Sequence, residues 1–347
     1  MRTYSREMKK CIKLAKLAQG KTSPNPLVGC LILDRENNVI STGYHAKYGQ
    51  YHAERDALSK LDSAQGCTLI VNLEPCCHQG KTPPCTDIIL KKGIKRVVYG
   101  MQDPNPLVSG KGLKILKEAG IEIIGPVLED ECRKLNEIFI KNQTEHKTFV
   151  AIKTATTIDG KIATYNGDSK WITSQKAREH ARRLRKIYDA ILTSSSTIIS
   201  DNPTMEHEKK VILDRELKTD LNSNIYKQGE IYIFHSATFP APERKDTNIT
   251  YIPTPVKNNR LNIEFILKKL YEVGIMSVFV ESGGKLNSSF LPYADKLYHF
   301  IAPKILADNS GKSCFDGLRK DKISDCTNFN LDSSEVLSEN ILLTYKK

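Results

Sequence analysis

Apolar and polar positions along this chain follow two rhythms. From Tyr4 to Gln19, apolar residues recur at Met8, Cys11, Ile12, Ala15 and Ala18, which predicts one face of a helix ending near Gly20. Short apolar runs at 27–33 and 39–44, on either side of a polar turn, predict two strands. The same reading places helices at 52–61, 85–92 and 110–119, and strands at 67–73, 96–100 and 121–124. Helices alternating with short apolar strands predict an α/β/α layered domain around a mainly parallel sheet. The stretch KNQTEHK at 141–147 is polar and without period, so the boundary is placed there, with a first domain at 1–145 and a second at 147–347. In the second domain, strands are expected at 149–156, 189–193, 210–213, 231–234, 277–280 and 296–302. Helices are expected at 174–186, 261–273 and near 285–290, again an α/β pattern. No internal repeat or low-complexity segment interrupts it.

Composition narrows the class. A chain of 347 residues suits two domains. The net charge of +12 raises nucleic acid as a partner, but the charge is spread: residues 1–147 carry 23 basic and 16 acidic side chains (+7), and the remainder 29 and 24 (+5). There is no basic tail and no aromatic-and-arginine stripe on which single strands stack. The expected partners are small anionic, phosphorylated molecules and not nucleic acid. No apolar run approaches the 18 or so residues of a membrane span, and the N-terminus has no signal-peptide pattern. Nine scattered cysteines suggest a reducing, cytoplasmic setting with metal chemistry and not a disulfide framework.

The chemistry concentrates between Tyr51 and Thr86. His52 and Glu54 form an H-x-E pair; Cys76 follows Glu74-Pro75, and Cys85 follows Pro83-Pro84. Zinc bound by one imidazole and two thiolates keeps a fourth position for water and lowers its pKa. A carboxylate that is not a ligand must then carry protons to the leaving group, and Glu54 is placed for that. The order H-x-E then P-C-x-x-C is the zinc deaminase signature; here the second cysteine comes nine residues after the first. The competing reading is a closed structural site with Cys77 or His78 as fourth ligand, which would leave Glu54 unexplained. Asn25, His45, Lys81, Asp103 and Asn105 fall on loops beside strands, where a flat heterocycle could be read by hydrogen bonds, although turn chemistry accounts for such residues equally well.

These segments carry a resemblance. PNPLVGC, the HAE triplet, TLIVNLEPCCHQGKTPPCTDII and DPNPLVSGKG, spread over most of residues 4–125, resemble the deaminase half of the bifunctional RibD family of riboflavin biosynthesis. The resemblance implies a cytidine-deaminase-like domain in which His52, Cys76 and Cys85 hold Zn2+ and Glu54 shuttles protons. It also implies a substrate pocket of Asn25, His45, His78, Lys81, Asp103 and Asn105. The implied substrate is a phosphoribosylamino-diaminopyrimidinone that loses its ring amine as ammonia.

AIKTATTIDGKIA, DSKWITS and VFVESGGKLNSSFL resemble the reductase half of the same family, similar to dihydrofolate reductase in fold and using NADPH. By that resemblance Ala155, Trp171, Thr197, Asp201 and the run Gly283, Gly284, Lys285, Leu286, Asn287, Ser288 and Ser289 meet NADPH. Lys153, Ser169, Met205 and Glu281 meet the substrate. A homo-oligomer is implied as well. Read from the residues alone, Gly283-Gly284 before a helix could bring N–H groups to a phosphate or could be a plain turn, the lone Trp171 could stack on a ring or simply pack, and no G-x-G-x-x-G follows a strand. One position departs from the family pattern. Glu208 stands where an arginine is expected, in a shortened loop after Asp201, and a carboxylate there would repel a substrate phosphate unless Lys209 or Lys210 compensates. The alternative is then a deaminase carrying an inactive reductase-like domain. A nucleic-acid-acting deaminase, motivated by net charge alone, is the third reading.

Overall fold

The computed structural model describes residues 3–79, 83–106, 108–242 and 248–347, and the chain divides into two compact units, Met1–His146 and Lys147–Lys347. No described helix is long and apolar enough to cross a membrane.

The first unit runs α1 (Ser5–Ala15), β1 (Gly29–Leu33), β2 (Val39–Tyr44), α2 (Ala53–Ser59), β3 (Thr68–Leu73), α3 (Cys85–Lys91), β4 (Arg96–Met101), α4 (Lys111–Glu118), β5 (Glu122–Ile124), α5 (Glu129–Leu135) and α6 (Glu137–Glu145). Its five strands lie in the order β2-β1-β3-β4-β5. Every residue of β1 and β3 is buried, because helices cover both faces of the central strands. The buried face of α1, Met8, Cys11, Ile12 and Ala15, packs on them; burial of each large side chain contributes about 1.5–3 kcal/mol.

Two expectations need correction here. β1 pairs antiparallel with both β2 and β3, and only β3/β4 and β4/β5 are parallel, so the sheet is evenly mixed and not mainly parallel. The five-residue turn between β1 and β2 is too short for a crossover, which forces that hairpin. The second correction concerns 141–147, which belongs largely to α6. That helix buries only Phe139 and Asn142, too few apolar positions to show a period.

The second unit contains β6 (Phe149–Thr156), β7 (Lys161–Ala163), α7 (Gln175–Arg185), β8 (Ala190–Ser194), α8 (Ser195–Asp201), β9 (Lys209–Leu213), β10 (Glu230–Ser236), β11 (Ile249–Thr254), β12 (Val256–Lys257), β13 (Arg260–Leu261), α9 (Ile263–Glu272), β14 (Ser277–Val280), α10 (Gly284–Phe290), β15 (Lys296–Ile301), β16 (Lys312–Ser313), β17 (Asn330–Leu337) and β18 (Asn340–Lys346). Nine strands form one sheet in the order β11-β10-β9-β8-β14-β6-β15-β18-β17. From β11 to β15 all neighbours are parallel, and the last two pairings are antiparallel. The parallel strands all end on one side, which is where an open α/β sheet leaves room for a ligand.

Candidate active sites

Two helix starts converge in the first unit. Gly43 in β2 lets α2 lie directly on the sheet: a Cβ there would come 2.3 Å from the Ala53 carbonyl oxygen and 2.5 Å from the Ala57 nitrogen. His52 caps α2, and Glu54 occupies its first turn. From the other side, the backbone N–H groups of Cys85 and Thr86 donate to the Cys76 carbonyl at 3.0 and 3.2 Å. They tie the open start of α3 to the loop after β3, using donors the helix cannot satisfy internally. His52 Nδ1 therefore lies 3.4 Å from Cys76 Sγ and 3.5 Å from Cys85 Sγ, and the three candidate ligand atoms fall within 4.8 Å of one another. Tetrahedral zinc with Zn–N of about 2.0–2.1 Å and Zn–S of about 2.3 Å separates N and S by about 3.6 Å, so this donor set fits zinc. Among the described residues no fourth His, Cys or carboxylate joins the group, and the closed-site reading with Cys77 or His78 loses its ligand.

The local field suits proton transfer. The Cys85 thiol and the His52 ring donate to Cys76 and hold it well below the ordinary thiol range, while Cys85 keeps its proton and is pushed up. His52 is raised by its bond to Cys76. Glu54 is 3% exposed. Burial first, and the neighbouring Cys76 second, push its carboxyl up to about 7, where a group can take and give a proton at neutral pH.

A cavity of about 310 Å³ opens on these residues, walled by Asn25, His45, His78, Asp103 and Asn105. Lys81 lies outside the described residues. His45 has one tautomer: Nδ1 donates to the Tyr51 carbonyl at 2.9 Å, so Nε2 accepts from Asn25 Nδ2 at 3.2 Å. Burial lowers its pKa and keeps the ring neutral. Asp103 is buried as well, and burial raises its carboxyl to about 6 against the N–H bond from Asn105. Sequence reasoning missed Tyr48, Gln50, Phe139 and Gln143, which also line the cavity. The last two sit on α6, whose weak period hid them.

Glu74 precedes Pro75 and Cys76 in the sequence, and its role appears in three dimensions. Its buried carboxylate accepts backbone N–H bonds from Asp103 (3.2 Å), Gly110 (2.9 Å), Gly112 (3.0 Å) and Leu113 (3.4 Å). One side chain two residues before a metal ligand thus ties Asp103 to the start of α4 at Gly110, Gly112 and Leu113.

The second unit has a larger cleft of about 900 Å³ at the carboxyl ends of β8, β9 and β14. Gly283, Gly284, Lys285, Leu286 and Ser289 line it, beside Ser194, Ser195, Ser196 and Ser282. A Cβ on Gly284 would lie 2.2 Å from the Ser313 carbonyl oxygen, whereas one on Gly283 would meet open space. Thr197 Oγ1 joins the hydroxyl cluster, 3.1 Å from Ser194 Oγ and 3.3 Å from Ser282 Oγ. Asn287 and Ser288 are buried instead: Asn287 Nδ2 donates to the carbonyls of Ser282 and Cys314, and Ser288 Oγ accepts from Asp316 N. They hold the cleft's wall rather than line it, but Asn287 Oδ1 is a buried acceptor without a donor. A dinucleotide fits this setting of glycine backbone, hydroxyls and cationic rim.

The other predicted residues divide among places. Ser169 and Trp171 line a separate cavity of about 200 Å³; Trp171 is 62% exposed, with the Arg178 guanidinium 4.3 Å above its ring. β7 separates the two hollows, with Ile162 facing the cleft and Lys161 and Ala163 the smaller cavity. Ala155 is half-buried on β6, opposite Phe300 of β15. Asp201 is exposed at the end of α8 and accepts from Ser200. Met205 packs in the apolar core with Ile191, Ile198 and Ile212. Glu281 is gripped by Arg185, with Nε–Oε1 2.8 Å and Nη2–Oε2 2.7 Å. Burial would raise the Glu281 carboxyl, but Lys153 and Arg185 outweigh it and hold it below its ordinary value. Arg185 escaped the sequence reading because it sits among four arginines on α7.

Lys210 cannot compensate for Glu208. It is 2% exposed, and its Nζ donates to the carbonyls of Ile225 (2.7 Å) and Gln228 (2.9 Å). Glu208 is exposed at the entry to β9, so water screens its charge and repulsion there is worth about 1 kcal/mol or less.

Comparison with known proteins agrees with both halves. Residues 1–101 match the family "cytidine and deoxycytidylate deaminase zinc-binding region", and residues 148–343 match the "RibD C-terminal domain". The riboflavin biosynthesis protein RibD of Aquifex aeolicus is 39% identical over 98% of this chain and 97% of its own length. That of Actinobacillus pleuropneumoniae is 36% identical over 97% and 94%. The crystal structure of a diaminohydroxyphosphoribosylaminopyrimidine deaminase/5-amino-6-(5-phosphoribosylamino)uracil reductase from Thermotoga maritima superposes with a TM-score of 0.90 at 37% identity, covering 99% of this chain and 98% of that one. This chain belongs to the RibD family and is a bifunctional enzyme of riboflavin biosynthesis, a zinc-dependent deaminase followed by an NADPH-dependent reductase.

Proposed function

We propose that the first unit deaminates 2,5-diamino-6-(5-phosphoribosylamino)pyrimidin-4-one, and that the second reduces the ribosyl group of the resulting 5-amino-6-(5-phosphoribosylamino)uracil to a ribityl chain. The observation that carries the reading is Glu54, a buried carboxyl pushed to about 7 beside the His52, Cys76 and Cys85 donor set. Zinc held by those three residues supplies an acidified water. Glu54 accepts that water's proton and passes it to the ring amine, which leaves as ammonia while oxygen takes its place on carbon. Neutral His45 and Asn25 orient the flat ring at one wall, and Asp103 and Asn105 bond its edge at the other. In the second unit, NADPH supplies the hydride. The Gly283–Ser289 segment and the hydroxyls of Thr197 and Ser282 position the cofactor, Lys153 and the Arg185–Glu281 pair meet the sugar, and Ser169 and Trp171 close the side. The reading includes a homo-oligomer, as the sequence resemblance implies, and nine free thiols suit a reducing, cytoplasmic setting.

The test is one assay on zinc-loaded protein with the pyrimidinone phosphate, following ammonia and NADPH absorbance together. Both signals support the two assignments. Ammonia without NADPH loss would leave the second unit an inactive reductase-like domain, and neither signal with zinc bound would refute the substrate.

A further inference from the structure

We propose that Arg215 and Arg260 form a clamp for the 2′-phosphate and thereby make the cleft of the second unit select NADPH over NADH. The inference rests on the reading of that cleft as the dinucleotide site. The part of the cleft at the ends of β8 and β14 is built of glycine backbone and serine hydroxyls, which are neutral donors. The cations come from other elements: Arg215 from the turn after β9, Arg260 from β13, Lys285 from α10 and Lys312 from β16. Asp316 is the one carboxylate among the described lining residues, so the lining carries four positive side chains against one negative.

The two arginines are joined. Arg215 Nη1 donates to the carbonyl of Asn259 at 2.7 Å and to its side-chain oxygen, and Asn259 is the residue before Arg260 in the β12–β13 hairpin. Arg260 Nη1 in turn reaches Ser289 Oγ on α10 at 3.4 Å. Arg215 also donates to Glu216, which leaves two of its five N–H donors for a ligand. Arg215 is ion-paired with Glu216, whereas among the described residues Arg260 has no carboxylate within ion-pair distance.

NADPH and NADH differ by one phosphomonoester, which carries about −1.5 to −2 charges at pH 7. A planar guanidinium fork matches such a group, and a lysine does not. Two forks meeting at one hairpin, in a cleft whose other cations are the lysines Lys285 and Lys312, are arranged for that one added group.

The test is direct binding of NADPH and NADH to the full-length protein, read by cofactor fluorescence without substrate. Arg215→Ala and Arg260→Ala are each expected to weaken NADPH by about 10- to 100-fold while NADH moves by less than about threefold. Arg260→Glu, at an exposed position of β13, keeps the test available if Arg215→Ala unfolds, and inorganic salt should weaken NADPH more than NADH in the wild type. A wild type that does not discriminate, or variants that keep their discrimination, would overturn the clamp. Gly283→Phe separates the two layers of argument, because its side chain enters open space. Loss of both cofactors in that variant keeps the cleft as the dinucleotide site, and undiminished NADPH binding would place the dinucleotide elsewhere and overturn the clamp with it.

Discussion

The two sites solve different problems. In the first unit the reacting groups are side chains of the protein itself, locked before any ligand arrives: His52 on one helix start, Cys85 on another, Cys76 between them and Glu54 buried at the cavity's floor. In the second unit the cleft is three times larger, 900 against 310 Å³, and its walls are glycine backbone, hydroxyls and exposed cations. The hydride belongs to the cofactor there, and the protein's share is placement. A site that performs its own acid–base chemistry needs particular side chains at fixed spacing, whereas a site that orients a cofactor can be built from many combinations.

That contrast is sharpened or broken by substitution, beginning with the largest effect. Glu54→Gln should lower ammonia release by at least about 10²- to 10⁴-fold while metal analysis finds zinc unchanged; release near the wild-type rate would show that proton transfer does not pass through this side chain. Glu281→Gln should remove one partner of a buried ion pair and leave Arg185 uncompensated, destabilising the second unit by about 3 kcal/mol and lowering its melting by about 6–12 °C. A calorimetric trace in which only the melting of the first unit moves would contradict this placement.

The third prediction concerns pH in zinc-free protein. Glu54 has a folded pKa of about 7 against an ordinary 4.5. The folded state keeps its proton across that window while the unfolded chain has released it, so stability of the first unit falls as pH rises from about 4.5 to about 7, by up to about 3 kcal/mol. Urea titrations of Glu54→Gln should show that slope flattened. The smallest effect belongs to Glu208→Arg, an exposed position where a charge reversal should change the apparent affinity for the phosphorylated substrate by less than about fivefold. A far larger gain would mean that Glu208 stands at the phosphate.

Legibility in the sequence follows the same division. The H-x-E pair and two Pro-Cys steps announced the metal chemistry, because each residue type there is demanded by bonding and the ligands lie within 34 positions (52–85). Residues 190–194 and 277–280 were readable as strands because they are buried on both faces. α6 was not readable, since a helix that buries two residues carries almost no period, and with it Phe139 and Gln143 of the cavity were lost. β17 was equally silent: seven of its eight residues are solvent-exposed or half-buried on an edge strand. The fate of Lys210 could not be read either, because its Nζ is satisfied by carbonyls 15 and 18 residues away.

The Glu74 carboxylate has a consequence for how such a site can change. Its four bonds go to main-chain N–H groups and not to side chains, so the anchor holds Asp103 and Leu113 whatever their side chains, while Gly112 stays fixed because a Cβ there would lie 2.1 Å from the Pro75 carbonyl oxygen. The anchor itself stands two residues from Cys76. A deaminase built on this frame for another base would retain Glu74 and exchange the outward-facing letters of that loop, with the scaffold acting as a socket and the loop as its interchangeable insert.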